Sequence, residues 1–293
     1  MAKGQIRKAL SGFYYVQDGE HFIQCRGRGV FRNKGITPLV GDYVEYEVEE
    51  NNDGTITNIF ERQNELVRPP VANIDQAILV FSTKEPAFNT ILLDRFLVVL
   101  ESFQVHPIIC LTKTDLLNDE EKQKIAKYRA EYEAIGYTMF ETYKEDPNLL
   151  EKMAPLLKGK TTVLAGQSGV GKSSLLNTIM PSLALKTGII SEALGRGKHT
   201  TRHVELIELA GGLIADTPGF SSFDFDTIEK EELTQCFPEF FSLSEGCKFR
   251  GCLHLKEPKC AVKQAVEDRV VEQYRYDHYL QFLQEITDRK PRY

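Results

Sequence analysis

Gly166, Gln167, Ser168, Gly169, Val170, Gly171, Lys172 and Ser173 follow the order G-x-x-x-x-G-K-[ST], a spacing that cradles phosphate. Glycine lets the backbone wrap closely around phosphate oxygens. Successive N–H groups at a helix start then face the anion. Lys172 is expected to reach the β- and γ-phosphates, and Ser173, followed by Ser174, to ligate Mg²⁺. Farther along, Asp216-Thr217-Pro218-Gly219 offers a carboxylate for the Mg²⁺ shell and a backbone N–H for the γ-phosphate. Between the two lies Gly195-Arg196-Gly197-Lys198-His199-Thr200-Thr201-Arg202, a glycine-rich polar segment suited to a switch. Thr201 is the first choice to close on Mg²⁺ and the γ-phosphate, and Thr200 the second. Phe220, after Gly219, cannot hydrogen-bond an attacking water, so unaided hydrolysis is expected to be slow. His199 is the nearest switch residue that could orient that water.

Upstream, Thr112-Lys113-Thr114-Asp115 resembles the Asn-Lys-x-Asp motif with which GTPases read guanine. A carboxylate at Asp115 would accept from guanine N1–H and the 2-amino group, a pair of donors that adenine lacks, while the Lys113 stem covers the base. Thr112 stands where the motif has Asn, which removes an amide that braces base and phosphate loop. Toward the C-terminus, Cys247, Cys252, His254 and Cys260 are spaced C-x4-C-x-H-x5-C. Three thiolates and an imidazole suit tetrahedral Zn²⁺, one per chain, and four protein ligands make the site structural. Near the N-terminus, Arg26, Arg28, Arg32 and Lys34 surround Phe31 with no acid among them. That is the composition of a nucleic-acid-facing surface, with cations for phosphates and a ring for a base, and equally of a solvated basic hairpin.

These groups need elements to hold them. Thr162–Ala165 reads as a buried strand and Ser174–Ile179 as a helix start, the frame a phosphate loop requires. Residues 74–81, 106–111 and 212–215 read as further buried strands, with helices over about 90–103 and 118–135, so a mostly parallel sheet is expected, its sites at the strands' C-terminal ends. Before it, short strand patterns separated by Asp18-Gly19, Pro38, Gly41-Asp42 and Asp53-Gly54 suit an antiparallel barrel such as the OB-fold. Leu66-Val67-Arg68-Pro69-Pro70 reads as a linker, since proline interrupts strand and helix alike. Residues 261–287 suit one or two helices packed on the metal knuckle. The expectation is therefore a multi-domain α/β chain. An OB-fold β-barrel spans 1–68, a P-loop GTPase-like domain 69–222 and a zinc-binding helical domain 223–293.

With 293 residues the chain can bury a sizeable core, and its formal charge of -6 excludes a uniformly basic nucleic-acid binder. Any nucleic-acid contact must come from local patches; the knuckle with Lys248, Arg250, Lys256, Lys259 and Lys263 is locally basic, which suits such a contact or a merely solvated face. No apolar run approaches the ~18–20 residues of a membrane span, and the N-terminus has no apolar signal core. A cytoplasmic protein is expected. Three of the six cysteines crowd into the C-terminal cluster, which points to metal and not to a disulfide frame.

The motif order is base-reading loop, phosphate loop, switch, D-x-x-G, whereas ordinary GTPases place the base-reading motif last. This rotation resembles the circularly permuted GTPases. With a barrel before and a Cys/His cluster after, nearly the whole chain resembles the RsgA family of small-ribosomal-subunit biogenesis GTPases. That resemblance implies binding of GTP and GDP, Mg²⁺ with the nucleotide, and hydrolysis stimulated by the 30S subunit during its late maturation. It also implies 16S rRNA as partner, with neither DNA nor membrane, and a monomer is expected. Two rivals stand beside it: a P-loop ATPase, against which Asp115 argues, and an RNA-binding scaffold whose nucleotide is structural. The metal cluster follows Asp216–Gly219 closely, so the chain could transmit switch position directly to the C-terminal domain.

Overall fold

The computed structural model describes residues 1–33, 35–48, 53–67, 69–180, 204–220 and 224–289, apart from the side chains of 32–33 and 216–220. Contacts cluster into two compact units, Met1–Val80 with Thr142–Ser221, and Phe81–Glu141 with Ser222–Tyr293.

In the first unit, β1 (Ala2–Leu10), β2 (Phe13–Asp18), β3 (His21–Gly27), β4 (Tyr43–Val48) and β5 (Gly54–Ile59) close a barrel. β1 pairs antiparallel with both β2 and β4, β2 with β3, β4 with β5, and β3 runs parallel to β5. This is the five-stranded OB arrangement expected from the turn spacing. Ile6, Val16, Cys25, Val44, Tyr46 and Ile56 fill it. The basic stretch leaves β3 and turns into a short helix, α1 (Gly29–Asn33). Asp42, fully buried, is gripped by Arg62 at 2.7 and 2.8 Å and accepts the Leu39 N–H at 2.7 Å, which fastens the chain leaving the barrel to the turn before β4.

The proline-rich linker is instead a small hairpin, β6 (Glu65–Val67) against β7 (Pro70–Ala72). Pro70 opens its strand, where a missing N–H is tolerated, and Leu66 and Val71 are wholly buried. Beyond it come β8 (Gln76–Ser82), with every residue buried, and, after the chain's excursion through the second unit, α4 (Leu149–Leu157) and β11 (Thr161–Ala165). β8 and β11 run parallel, as do β11 and β13 (Gly212–Phe220), and β12 (Glu205–Leu209) forms a hairpin with β13. A single bridge, Lys8 to Glu205, joins barrel strand β1 to β12, and the two side chains pair at 2.8 Å. β13 does not stop at Ala215: its backbone continues through Asp216–Gly219, and Phe220 pairs with Ala165. α5 (Lys172–Ile179) follows β11 and anchors on Leu175 and Ile179.

In the second unit, β9 (His106–Thr112) pairs parallel with β10 (Thr138–Glu141). α2 (Thr90–Ser102) starts at the Asn89 cap. α3 (Asp119–Ile135) starts at a full capping box of Asn118 and Glu121, which explains the sharp entry that sequence placed at 118. The C-terminal part holds α6 (Pro238–Ser244), α7 (Ala261–Glu267) and α8 (Gln273–Asp288). Phe237, Phe240, Tyr279 and Phe282 form its buried aromatic core. No helix among the described residues is long and apolar enough to cross a membrane.

Candidate functional site

Buried strand β11 delivers the chain to Gly166, whose φ of 142° lies in the region glycine favours. A Cβ there would stand 2.3 Å from the Val80 carbonyl oxygen, so the tight exit from the strand admits only glycine. Gln167, Ser168 and Gly169 are exposed, Val170 is buried as a peg, and Gly171 adopts φ 105° as the cap of α5. The loop thus presents backbone to solvent from a rigid base. Lys172 Nζ donates to the carbonyls of Gly166 at 2.7 Å and Gln167 at 2.5 Å. Burial pulls its pKa below the usual lysine range, which an arriving phosphate would reverse. Ser173 and Ser174 stand exposed in the first turn of α5. Ser173 is therefore available to a cation at the loop. Among the other expected Mg²⁺ ligands, the Asp216 side chain and all of Thr201 lie outside the described residues, as does His199.

Thr112 ends β9, buried, with its hydroxyl donating to the Phe81 carbonyl at 3.3 Å. Lys113 takes a left-handed φ of 59°, and Thr114–Leu116 form a 3-10 turn from which Asp115 emerges exposed. Thr83, which the sequence did not single out, sits under this turn. Its N–H donates to Thr112 O at 3.0 Å, and its hydroxyl lies 3.0 and 3.1 Å from the carbonyls of Thr112 and Lys113. Lys84 donates to Leu116 O at 3.2 Å and pairs with Glu121 at 3.0 Å, while Lys113 Nζ donates to Glu85 O. Segment 83–85 therefore braces the loop from which Asp115 projects, a role that no local motif announces.

The ligand atoms of Cys247, Cys252, His254 and Cys260 all lie within 4.8 Å of one another. His254 presents Nδ1, 3.2 Å from Cys260 Sγ and 3.8 Å from Cys247 Sγ. Backbone N–H groups of Ala261 and Lys263 point at Cys247 Sγ and Cys260 Sγ at 3.4 and 3.5 Å, contacts that favour thiolate. Burial and the adjoining Cys260 and Cys247 sulfurs push the Cys252 thiol up to about 12, a penalty that a bound cation relieves. Burial likewise lowers His254, keeping it neutral as a ligand must be. Tyr276 donates to the His254 carbonyl at 2.6 Å and Tyr279 to Leu253 O at 3.2 Å, so α8 holds the ligand loop. The donor set fits a metal ion.

On the barrel, Arg26 is exposed with its guanidinium 4.6 Å from the Phe13 ring centre. Arg28 is half-exposed and pairs with Glu47 at 3.2 Å. Lys34 and the side chain of Arg32 lie outside the described residues.

A phosphate loop on a parallel sheet, with the guanine-type loop before it in the chain and the D-x-x-G strand after it, belongs to the circularly permuted GTPases, enzymes that hydrolyse GTP. The RsgA GTPase family model matches residues 59–226, and that of the RsgA N-terminal domain matches 3–56. Over 298 residues, 100% of both chains, the protein is 60% identical to the small ribosomal subunit biogenesis GTPase RsgA of Bacillus subtilis (strain 168). Its identity to the Geobacillus kaustophilus relative of the same name is 59%, again over the full length of both. Among solved structures, the circularly permuted GTPase YloQ superposes with a TM-score of 0.86 at 55% identity, covering 100% of this chain and 97% of that one. YjeQ from Thermotoga maritima gives 0.86 at 35% identity, covering 99% of each. This chain belongs to the RsgA GTPase family.

Proposed function

We propose that this chain acts in small-subunit assembly. It binds the 30S particle and its 16S rRNA in the cytoplasm, as a monomer, and hydrolyses GTP to GDP and phosphate as the particle matures. The observation that carries the reading is 59–60% identity, over the full length, to relatives named for small ribosomal subunit biogenesis, with the phosphate-loop sequence intact. Gly166–Ser174 would hold the phosphates, Lys172 would neutralise charge on the β- and γ-oxygens, and Thr112–Asp115 would read the base. Mg²⁺ held by Ser173, Thr201 and Asp216 would neutralise the charge shared by β- and γ-oxygens. Gly219 would donate its N–H to the γ-phosphate. Phe220 leaves the water without an orienting amide, so a switch residue, His199 first, or the ribosome would supply it.

The C-terminal cluster would hold one structural Zn²⁺, since three thiolates and the His254 imidazole, their ligand atoms within 4.8 Å of one another, would supply four ligands and leave no open position. The proposed division is a barrel over 1–68, the GTPase core over 69–222 and the metal-binding helical part over 223–293. Arg26, Arg28, Arg32 and Lys34 would face rRNA, with neither DNA nor membrane as partner. The test is single-turnover GTP hydrolysis with and without purified small subunits. Subunit-dependent acceleration is expected, and a rate indifferent to the subunit overturns the reading.

A further inference from the structure

Asp94 lies on α2, fully buried, and Arg275 on α8 is 1% exposed. Arg275 Nη1 donates to Asp94 Oδ1 at 2.5 Å, and its Nε and Nη2 donate to Glu239 of α6 at 2.7 and 3.1 Å. Asp94 also accepts from Tyr132 of α3 at 2.6 Å, and its Oδ2 lies 2.6 Å from His278 Nδ1. The guanidinium lies between the rings of Phe237 and Tyr132, at 4.6 and 5.6 Å from their centres. One carboxylate thus ties together α2, α3 and α8, and reaches α6 through Arg275. A pair this deep is a weak stabiliser compared with apolar packing, but each nitrogen of the guanidinium donates to a carboxylate on another helix, which favours one relative placement of those helices.

That geometry leads to two places. Along α8, Tyr276 and Tyr279 hold the carbonyls of His254 and Leu253 in the metal knuckle. Along α3, Tyr274 packs edge-on against Tyr128 at 5.9 Å and donates to Glu131 at 3.0 Å. Tyr128 contacts Phe88 at 5.6 Å, at the end of the segment whose Thr83 and Lys84 brace the Thr112–Leu116 turn. α3 itself begins at the Asn118 cap, just after Asp115. Closeness in sequence tied the knuckle to the D-x-x-G segment, whereas this side-chain path leads to the base-reading loop.

We propose that Asp94 and Arg275 are positioning residues for guanine recognition, coupling the metal knuckle through α8 and α3 to the loop that carries Asp115. The proposal rests on Asp115 being the guanine acceptor. The metal knuckle then governs how well the base is discriminated, in addition to any contact it makes itself. A partner that grips the knuckle would change guanine selectivity by the same path.

The experiment measures the affinities of GDP and IDP for the full-length, metal-loaded chain, since inosine lacks the 2-amino group that Asp115 would accept. The GDP-to-IDP preference is compared among wild type, Asp115→Asn, the paired Asp94→Asn/Arg275→Met variant, and the milder His278→Ala. The paired variant removes the Asp94 and Arg275 charges together and leaves Glu239 without its guanidinium partner. Its preference is expected to fall about tenfold, the effect of one spoiled hydrogen bond, with the fall in GDP affinity exceeding that for IDP. Withdrawing the metal with a chelator is expected to lower the preference likewise. A merely structural role weakens both nucleotides equally and leaves the ratio unmoved, which overturns the proposal. A ratio that falls in the variants but not on chelation overturns the knuckle's part in it. Should the paired variant fail to fold, His278→Ala and chelation decide by the same ratio. If wild type shows no preference, or Asp115→Asn keeps it, the reading of Asp115 fails and the proposal that rests on it is overturned too; a preference lost in Asp115→Asn but unmoved in the paired variant overturns the proposal alone.

Discussion

Asp115 projects from a turn held at its base by the Thr83 hydroxyl and N–H, and among the described residues no partner occupies its carboxylate. An acceptor offered on a braced backbone is the condition for reading two adjacent donors. Asp115→Asn turns one acceptor into a donor facing guanine's own donors. Guanine preference is expected to fall by several kcal/mol, on the order of 10⁴-fold at the limit, with xanthine nucleotides gaining. Competition binding of GDP against XDP checks this. Lys172 rests on the Gly166 and Gln167 carbonyls and must exchange them for phosphate oxygens. Lys172→Ala is expected to abolish small-subunit-stimulated hydrolysis, because under the proposed function its ammonium would meet the oxygens where charge redistributes. A normal stimulated rate in that variant would remove the phosphate loop from the mechanism.

At the scale of elements, the metal knuckle has little apolar core of its own. Its cysteines and histidine face inward on one another, so without a cation the buried thiols repel ionisation and the loop 247–260 loses its centre. Cys252→Ser is expected to unfold this loop, a structural metal being worth on the order of 10 kcal/mol of local folding free energy. Elemental analysis should find one equivalent of zinc per wild-type chain and none bound tightly in the variant. In the barrel, Gly41 has φ +94°, and an added Cβ would stand 2.0 Å from the Ala72 carbonyl oxygen. Gly41→Ala must therefore move the backbone that β7 and Asp42 share. A loss of about 2–4 kcal/mol is expected, readable as a lower urea midpoint with unchanged slope.

For the whole molecule the expected behaviour is slow hydrolysis alone and faster hydrolysis on the small subunit. Phe220 cannot hydrogen-bond an attacking water, so a group supplied on the particle is expected to raise turnover by about tenfold or more. The rise is expected to shrink with added salt, because Arg26, Arg28 and the knuckle's lysines would grip phosphate. His199→Ala should lower the stimulated rate far more than nucleotide affinity, the mark of a group acting mainly in the transition state. Single-turnover rates at two salt concentrations, with and without the subunit, test all three statements. A stimulated rate in His199→Ala equal to wild type would leave rRNA or another residue to hold the water.

The strand–loop–helix frame of the phosphate loop, the Cys/His cluster and the barrel were legible in the sequence because each is written locally. A strand run, a glycine spacing or a cysteine spacing carries its own chemistry within a short stretch. The start of α3 near Asn118 was legible too, and the structure supplies its cause in the Asn118–Glu121 capping box. Proline misled at 69–70, where tertiary burial of Leu66 and Val71 outweighed the interruption and made a hairpin of an expected linker. The strand through Asp216–Gly219 likewise ran on past the end of its apolar run, since pairing with β11 continued to Phe220. Thr83 and the Asp94–Arg275 pair lay beyond reach of any local pattern. Arg275 and Asp94 are 181 residues apart, and each alone reads as one polar residue on a helix. Their meaning comes from desolvation: once both are buried, each charge must find the other, and only the folded chain decides which partners those are.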